Sequence, residues 1–236
     1  MENLIKTVFA SHGYPLNDHQ SAQFKQYYDL LIEWNQKINL TAIEEPREVV
    51  YKHFIDSALF TQVVPELKGL SLIDVGTGAG FPGVPLKILE NDLNLYLLDS
   101  LQKRINFLSL LCDNLKLDGV NTIHGRAEDL GHHHDYRGQF DLATARAVAK
   151  LPVLLELCLP LLKVGGHFIA LKGPEMNDEL KESKKALSIL GGEITEVKAY
   201  TIDNGQYGRT IVMVEKIRET PQKYPRKAGT PQKSSL

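Results

Sequence analysis

The feature that most constrains the fold is a glycine-rich turn between a predicted strand and a predicted helix. Residues 74–83 read Asp-Val-Gly-Thr-Gly-Ala-Gly-Phe-Pro-Gly. The apolar run 70–75 predicts a strand, and residues 84–90 predict a helix. Glycines in such a turn let the backbone bend sharply and approach a ligand closely. The segment therefore predicts a strand–turn–helix unit with a ligand at the carboxyl end of its strand.

Strand and helix patterns alternate after this turn. Further strands are predicted at 94–99, 120–124, 140–144 and 166–171, and further helices at 101–117, 151–162 and 177–190. This alternation predicts an α/β fold with a doubly wound, mostly parallel, Rossmann-like sheet. The last two predicted strands, 194–200 and 210–215, leave no room for a helix between them, so we expect an antiparallel hairpin and seven strands in all.

The chain divides into three predicted parts. Residues 1–66 form a helical extension, in which Phe24, Tyr27 and Trp34 share one helix face that begins near a cap at Asn17 or Asp18. A break at 39–41 precedes a second helical stretch at 46–60. Residues 67–217 form the Rossmann-like domain. Residues 218–236 form a basic tail, rich in Pro, Lys, Gly and Ser from residue 220 on, which we expect to be extended or disordered.

Charge is unevenly distributed between these parts. The net charge is only −2, from 27 basic and 29 acidic residues. Residues 216–236 carry six basic residues and one acidic residue, a net of +5, so residues 1–215 carry −7. The near-neutral total therefore does not exclude a nucleic-acid partner. We expect deletion of residues 220–236 to reduce RNA affinity, with a shallower salt dependence, and to leave cofactor binding intact.

The remaining composition argues for a cytoplasmic protein without a membrane partner. The two cysteines, Cys112 and Cys158, lie in apolar, helix-like stretches, which is typical of core thiols in a reducing compartment. We expect no signal peptide at the N-terminus. The longest apolar stretch, 151–162, is too short to span a bilayer and includes Glu156.

An acidic residue at the end of the second strand predicts a nucleoside-containing cofactor. Asp99 stands nineteen residues beyond Gly80, where a carboxylate can accept hydrogen bonds from both ribose hydroxyls. Two cofactor classes compete. The spacing Gly78-x-Gly80-x-x-Gly83 formally matches a dinucleotide fingerprint. The spacing Gly76-x-Gly78-x-Gly80, two residues after Asp74, instead matches the first motif of S-adenosylmethionine-dependent methyltransferases, in which the acidic residue can orient the amino-acid end of the ligand.

The fourth strand indicates which acceptor a methyltransferase of this type would use. It runs into Arg146, whose planar guanidinium can orient a cofactor or a phosphate. The Asn/Asp-Pro-Pro-aromatic motif of amino-methylating DNA and RNA enzymes is absent here, and Cys158 falls in a predicted buried helix. An acceptor that needs neither covalent catalysis nor a base remains, and guanine N7, with its in-plane lone pair, fits.

Several blocks together resemble one family, the bacterial small-subunit rRNA guanine-N7 methyltransferases, also called glucose-inhibited division protein B. The blocks run through the whole chain and lie at 34–41, 53–57, 74–83, 98–100, 126–128, 145–147, 170–173 and 223–231. The Phe81-Pro82 continuation of the glycine turn, the N-terminal block and the tail block are the most specific. The resemblance implies the class I S-adenosylmethionine-dependent methyltransferase fold.

The resemblance also implies a reaction and a set of site residues. It implies methylation of N7 of a guanine, position 527 in the 530 loop of 16S rRNA, with S-adenosylmethionine as cofactor and the small ribosomal subunit or its RNA as partner; DNA is not expected. It implies cofactor contacts at Gly76, Phe81, Ala127, Glu128 and Arg146, and the strand-end argument adds Gly78 and Asp99. A backbone N–H such as that of Glu128 could read an adenine nitrogen. Beyond Arg146 as a positioning candidate, we expect no catalytic side chain and no metal.

Other polar residues have two competing interpretations. His132, His133 and His134 are expected to form a solvated loop rather than a metal site. Lys103 and Arg104 could contact phosphate or simply form a solvated helix face, and Lys52, Lys150 and Lys172 are further phosphate candidates. His53 could line the acceptor side or be a buried core histidine. Two functional alternatives also stay open, a small-molecule enzyme such as a dehydrogenase and a non-catalytic RNA- or ribosome-binding protein.

Overall fold

The structure, a computed structural model, describes residues 1–146, 149–203 and 205–236. Ala147, the last residue of one block of the resemblance, lies outside the described residues, as do Val148 and Asn204. The strands are β1 Ser71–Val75, β2 Asn94–Asp99, β3 Val120–His124, β4 Phe140–Arg146, β5 Leu162–Lys172, β6 Gly192–Ile202 and β7 Tyr207–Lys216. They form one sheet in the order β3-β2-β1-β4-β5-β7-β6.

The sheet is parallel except at its last strands. β1 pairs with β2 and β4 in parallel, and β7 lies antiparallel between β5 and β6. The predicted seven-stranded α/β fold with a closing hairpin is therefore confirmed. The α-helices are α1 Glu2–Ser11, α2 Asp18–Ile38, α3 Pro46–Val49, α4 Asp56–Ala58, α5 Gly83–Leu89, α6 Gln102–Leu115, α7 Ala127–Leu130, α8 Leu151–Cys158, α9 Asn177–Leu190 and α10 Thr230–Lys233.

The long helix α2 begins and ends for local chemical reasons. The Asn17 side chain accepts a hydrogen bond from the Gln20 backbone N–H, and the Gln20 side chain accepts one from the Asn17 N–H, which makes a capping box. Asn39 ends the helix in the left-handed region, at φ 50°. Phe24 and Tyr27 are fully buried, as the helical spacing predicts. The predicted N-terminal helix and its cap are confirmed.

The second helical stretch is irregular where it meets the sheet. Residues 46–62 are helical throughout, but Val50–Ile55 form a π-helical turn and Leu59–Gln62 a 3₁₀ turn. π-Turns widen a helix by one residue and are frequent at functional sites. This turn carries His53, which is 8% exposed.

Both faces of the sheet are covered, and the side chains of β1 alternate between them. Leu72 packs with the core formed by α1, α2, α5 and α6, whereas Ile73 and Val75 pack with the core formed by α8 and α9. The two cysteines are buried, one in each core. Among the described residues, no helix combines the length and the apolar character that crossing a membrane requires. Because helices cover both faces of the sheet, a ligand site is expected among the loops at the carboxyl ends of the parallel strands.

The C-terminal segment, residues 218–236, differs from the sequence prediction because it packs against the domain. Thr220, Tyr224 and Pro231 are buried, and the last turn of helix, α10, forms near the end. The Arg137 guanidinium donates to the backbone oxygens of Thr220 and Tyr224. The segment can pack against the domain with few apolar side chains of its own, because polar groups of the domain bond to its backbone. The expectation of disorder was therefore wrong.

Candidate functional site

A cavity of about 420 Å³ opens at the carboxyl ends of β1 and β2. We call it the glycine-loop cavity. Its lining comes from the N-terminal extension, the glycine turn, the end of β2 with the start of α6, and the end of β4. The lining residues are Leu40, Thr41, His53, Gly76, Thr77, Gly78, Ala79, Phe81, Asp99, Ser100, Arg104 and Arg146. Five of the seven predicted cofactor residues, namely Gly76, Gly78, Phe81, Asp99 and Arg146, therefore meet in one cavity.

The glycines of the turn fall into two functional groups. Gly76 and Gly78 have φ of 69° and 63° and line the cavity, and a Cβ added at Gly78 would meet no atom within 4 Å. A Cβ at Gly80 would come within 2.9 Å of the Tyr27 hydroxyl oxygen, and one at Gly83 within 3.0 Å of an Asp74 carboxylate oxygen. Gly80 and Gly83 thus serve close packing, whereas Gly76 and Gly78 line the cavity, with free space where a Cβ at Gly78 would stand.

Asp74 holds the turn in shape from behind. It is fully buried, and its Oδ2 accepts hydrogen bonds from Thr77 Oγ1 at 2.7 Å and from the Gly83 N–H at 2.9 Å. Burial raises the pKa of this carboxyl from 3.8 to about 6, although those two hydrogen bonds oppose the shift. Asp74 is not part of the cavity lining, so the expectation that it orients the ligand is replaced by a role in holding the glycine turn.

Asp99 connects the glycine turn, helix α6 and the cavity. Its Oδ2 accepts from the Gly78 N–H at 3.0 Å and from Arg104 Nη1 at 3.2 Å, and its Oδ1 accepts from the Leu101 N–H at 2.9 Å. A carboxylate offers about four acceptor positions, and three of them are occupied here, so one is left for a ligand hydroxyl. Of the two basic residues at the start of α6, Arg104 lines the cavity and Lys103 is exposed to solvent.

A smaller cavity of about 100 Å³ continues from the first one toward α7. We call it the α7 cavity. It shares Gly76, Asp99 and Ser100 with the glycine-loop cavity. The rest of its lining is Val75, Leu98, Gly125, Arg126, Ala127, Glu128, Leu157 and Gln232. The remaining two predicted cofactor residues, Ala127 and Glu128, are therefore found here, beside the end of the cavity that holds Asp99.

A third cavity, of about 350 Å³, lies on the other side of Arg146 and His53. We call it the Arg209 cavity. Its lining is Ile43, Lys52, His53, Asp56, Arg146, Leu171, Lys172, Gly173 and Arg209. His53 and Arg146 line both this cavity and the glycine-loop cavity, so these two side chains form the partition between them.

Arg146 is fixed in this partition by several partners. Its Nη1 donates to Asp56 Oδ2 at 3.0 Å and to the Lys52 carbonyl oxygen at 3.1 Å, and its Nη2 donates to His53 Nδ1 at 3.2 Å. Its guanidinium carbon lies 4.8 Å from the centre of the Phe81 ring. Arg146 is not a surface residue, because its side chain is only 14% exposed and lines both cavities.

His53 is neutral in this environment. Burial and the nearby Arg146 charge lower its pKa from 6.5 to about 3. Its Nδ1 lies 3.2 Å from Arg146 Nη2 and 3.1 Å from the Lys52 carbonyl oxygen, and its Nε2 lies 2.9 Å from Thr41 Oγ1, so both ring nitrogens have hydrogen-bonding partners. His53 is therefore a buried histidine whose ring nitrogens both have polar partners, and it also lines two cavities.

Tyr27 and Asn35, to which the sequence analysis assigns no role in the site, both support the walls of the glycine-loop cavity. The Tyr27 hydroxyl donates to the Ala79 carbonyl oxygen at 2.6 Å, and its ring stacks on Phe81. Asn35 Oδ1 accepts from the backbone N–H groups of Leu40 and Thr41, which places those two residues in the cavity wall. Both lie at helical spacings typical of core or capping residues. The block 34–41 of the family resemblance could have singled out Asn35, whereas no sequence signal distinguishes Tyr27 from a core residue.

Most of the predicted phosphate contacts are engaged within the protein. Lys172 is 10% exposed and pairs with Glu179 at 2.8 Å, Lys150 pairs with Glu182 at 3.2 Å, and Lys52 pairs with Glu48. His133 and His134 are exposed, as expected of a solvated loop, and lie with Asp135 close enough to share an ion. Nothing else among the described residues points to a metal there. The Arg209 side chain, which sequence reasoning missed, donates to Asp56 Oδ1.

Curated relatives match this chain over nearly its whole length. The sequence profile described as rRNA small subunit methyltransferase G matches residues 20–207. The protein named ribosomal RNA small subunit methyltransferase G in Lactobacillus johnsonii is 51% identical over 96% of both chains. The protein of that name in Acetivibrio thermocellus is 50% identical over 100% of this chain and 97% of its own.

Solved structures with the same fold are distant in sequence. A precorrin-6y C5,15-methyltransferase from Geobacter metallireducens superposes with a TM-score of 0.52 at 13% identity, over 76% of this chain and 91% of its own. A SAM-dependent O-methyltransferase from Thermotoga maritima gives 0.53 at 16% identity, over 81% and 72%. These likenesses confirm the class I methyltransferase fold, and the sequence matches confirm the predicted resemblance: this chain belongs to the rRNA small subunit methyltransferase G family.

Proposed function

We propose that this chain transfers the methyl group of S-adenosylmethionine to N7 of a guanine in 16S rRNA, at position 527 of the 530 loop. Family membership supports an rRNA substrate and this cofactor. The observation that carries the proposal is the arrangement of two cavities on opposite sides of one partition formed by Arg146 and His53. A cofactor and an acceptor can each occupy one side and meet there.

The residues present fit S-adenosylmethionine. The glycine-loop cavity and the α7 cavity join at Asp99, whose carboxylate suits ribose hydroxyls, so the sugar would lie where they meet. Gly76 and Gly78 line the part of the glycine-loop cavity that would take the amino-acid arm, and Ala127 with Glu128 borders the space for the adenine. Gly76, Gly78, Phe81, Asp99, Ala127, Glu128 and Arg146 are thus the proposed cofactor contacts. The bound cofactor supplies an electrophilic methyl group on a sulfonium.

The chain has little chemistry to perform beyond positioning. Guanine N7 carries a lone pair and no proton, so no general base is needed. Burial and the Arg146 charge lower the pKa of His53 to about 3, so its ring is uncharged at physiological pH. Arg146 is held by Asp56, Lys52 and His53, so its position is set before any ligand binds. Preset positioning of this kind is the main contribution an enzyme makes to an in-line transfer.

The Arg209 cavity suits the acceptor base. At about 350 Å³ it is large enough for a purine. Cationic side chains outnumber the one carboxylate of its lining, that of Asp56, and this positive balance suits RNA phosphate, although Lys52 and Lys172 also pair with Glu48 and Glu179. To enter it, a guanine would have to leave its stack, as enzymes that modify bases require. We place this reaction in the cytoplasm, on the small ribosomal subunit or its free RNA.

Methyl transfer to defined RNAs tests the proposal. The protein is incubated with methyl-labelled S-adenosylmethionine and either 30S subunits or naked 16S rRNA from cells lacking the modification, and 7-methylguanine is mapped by borohydride and aniline cleavage. We expect one labelled guanine in the 530 loop, and S-adenosylhomocysteine, but not NAD, should raise the melting temperature. Binding of RNA without label in either form would favour the non-catalytic alternative, and stabilisation by NAD alone would favour a dehydrogenase.

A further inference from the structure

The C-terminal segment ends beside the space that the proposed function assigns to the adenine. Gln232, on α10, lines the α7 cavity together with Ala127 and Glu128. We propose that this segment is part of the cofactor site, with Gln232 contacting the adenine and Arg226 acting as the positioning residue that holds the segment in place. This inference rests on the proposed cofactor, and it replaces the expectation that the tail matters only to RNA.

The chemistry of Gln232 suits an adenine edge. A carboxamide presents one acceptor and one donor side by side, which matches the N6 amino group and the N7 of adenine. The side chain is exposed to solvent in the structure while still bordering the cavity. The lining also includes the apolar side chains of Leu98 and Leu157, which suit the flat faces of a base.

The segment is joined directly to α7, which forms another wall of this cavity. A Glu128 carboxylate oxygen accepts a hydrogen bond from the Gly229 backbone N–H at 2.9 Å. Gly229 has φ 81° and immediately precedes α10. The Glu128 side chain therefore fixes the start of the helix that carries Gln232, and the positions of α7 and α10 are coupled.

A buried ion pair anchors the middle of the segment. Arg226 Nη2 donates to Glu156 Oε2 at 2.7 Å, Arg226 Nε donates to Oε1 at 2.9 Å, and the Arg226 backbone N–H also donates to Oε1 at 2.7 Å. Glu156 is 0% exposed and is the one charged residue of the otherwise apolar helix α8. Its neighbour Leu157 lines the α7 cavity, so the anchor lies directly behind the proposed adenine site.

Further contacts hold the part of the segment that precedes Arg226. His132 Nε2 bonds the Pro225 carbonyl oxygen at 2.6 Å, and Arg137 donates to the Tyr224 carbonyl oxygen at 2.8 Å. Gly131 lets Pro225 approach, since a Cβ at that position would lie 2.5 Å from the proline ring. The loop 131–137, which begins with the residues expected to be solvated, is thus the surface on which the segment docks.

Calorimetric titration with S-adenosylhomocysteine tests the role of Gln232. We expect Gln232→Ala to raise the Kd at least about three- to tenfold, because losing even one of the two side-chain hydrogen bonds to the adenine edge has an effect of that size. The matched control is Lys233→Ala, the next residue of α10, which is exposed and absent from the cavity lining; its Kd should equal that of the wild type. Equal affinities for all three proteins would overturn the proposal.

A ligand without the 6-amino group tests whether Gln232 contacts the adenine itself or only supports the shape of the cavity. S-inosylhomocysteine carries a carbonyl oxygen in place of the 6-amino group of adenine. Gln232→Ala should lose more affinity for S-adenosylhomocysteine than for this analogue. A loss of the same factor for both ligands would contradict contact with the adenine edge.

The positioning role of Arg226 is tested through its dependence on Gln232. Arg226→Ala is made in a Glu156→Gln background, so that no unpaired charge stays buried. If Arg226 acts by holding Gln232, adding Gln232→Ala should weaken binding no further, whereas additive losses would overturn this role. If the wild-type protein does not bind S-adenosylhomocysteine, both the proposed function and this inference are wrong. If the wild type binds and all of these variants bind with the same affinity, only this inference is wrong.

Discussion

Asp99 organises the proposed cofactor site at the scale of a single residue. Its carboxylate bonds the backbone N–H groups of Gly78 and Leu101, so it shapes the glycine turn and the start of α6 as well as the cavity. Asp99→Asn exchanges a charged acceptor for a neutral amide. Since hydrogen bonds to charged groups contribute about 1.5–3 kcal/mol, we expect S-adenosylhomocysteine to bind at least about tenfold more weakly in calorimetry.

An exposed carboxylate on α6, that of Asp113, provides the control for this substitution. Asp113→Asn removes one negative charge from the helix without touching the cavity and should bind S-adenosylhomocysteine like the wild type. Equal affinities for Asp99→Asn and Asp113→Asn would contradict the ribose-binding role of Asp99.

The lowered pKa of His53 should make the stability of the folded protein depend on pH. Its folded-state pKa of about 3 lies below the ordinary 6.5, so between these values the unfolded chain binds a proton that the folded protein does not. The free energy of unfolding should therefore fall as the pH falls through this window, by at most about 1.4 kcal/mol per pH unit from this group. Urea unfolding from pH 8 to pH 4 should show a shallower dependence for His53→Gln than for the wild type; parallel curves would contradict the assignment.

Individual site residues were predictable where a strand end or a motif fixes the environment. Asp99 follows a strand that the apolar pattern marks, and parallel strands bring their carboxyl ends to one edge, so its place in the cavity follows from sequence. Asp74 follows the same logic yet points behind the turn, because Thr77 and Gly83 offer it donors there. That choice depends on the path of the turn, which local patterns do not specify.

The elements of the sheet were predictable, but the docking of the C-terminal segment was not. Strand and helix periodicity located all seven strands and the capped helix α2, since each pattern is local. The segment has too few apolar residues to predict a packed structure, and its partners Glu156, Glu128 and Arg137 lie far away in the chain, in other elements. Only the three-dimensional structure brings these groups together.

The closeness of Gly131 and Pro225 makes the docking testable at the scale of an element. Gly131→Ala places a Cβ 2.5 Å from the proline ring and should displace the segment, while α7 itself keeps its ordinary helical backbone. Trypsin should then cut after Lys223, Arg226 and Lys227 faster than in the wild type. Gly173→Ala, where a Cβ meets nothing within 4 Å, is the control; equal cleavage rates for both variants would contradict the docked arrangement.

At the scale of the whole molecule, the uneven charge acquires a structural explanation. Three of the six basic residues in the region 216–236 bond to other parts of the fold. Lys216 is 1% exposed and donates to the Leu162 carbonyl oxygen, Arg218 donates to the Ser188 carbonyl oxygen, and Arg226 is paired with Glu156. Lys223, Lys227 and Lys233 are exposed and remain available to phosphate. The segment therefore has an inner side that faces the α7 cavity and an outer side that is positively charged.

This two-sided arrangement predicts that RNA binding and cofactor binding can be separated within one segment. Replacing Lys223, Lys227 and Lys233 with Gln should leave the affinity for S-adenosylhomocysteine unchanged. It should lower the slope of log K against log salt for a 530-loop RNA by about 0.7 for each phosphate that these lysines no longer neutralise, because each neutralised phosphate releases counterions. The matched control replaces three exposed lysines of other elements, Lys25, Lys37 and Lys116, and should keep the slope. A slope unchanged in the first variant would place the RNA contacts elsewhere, with the cations of the Arg209 cavity as the next residues to replace.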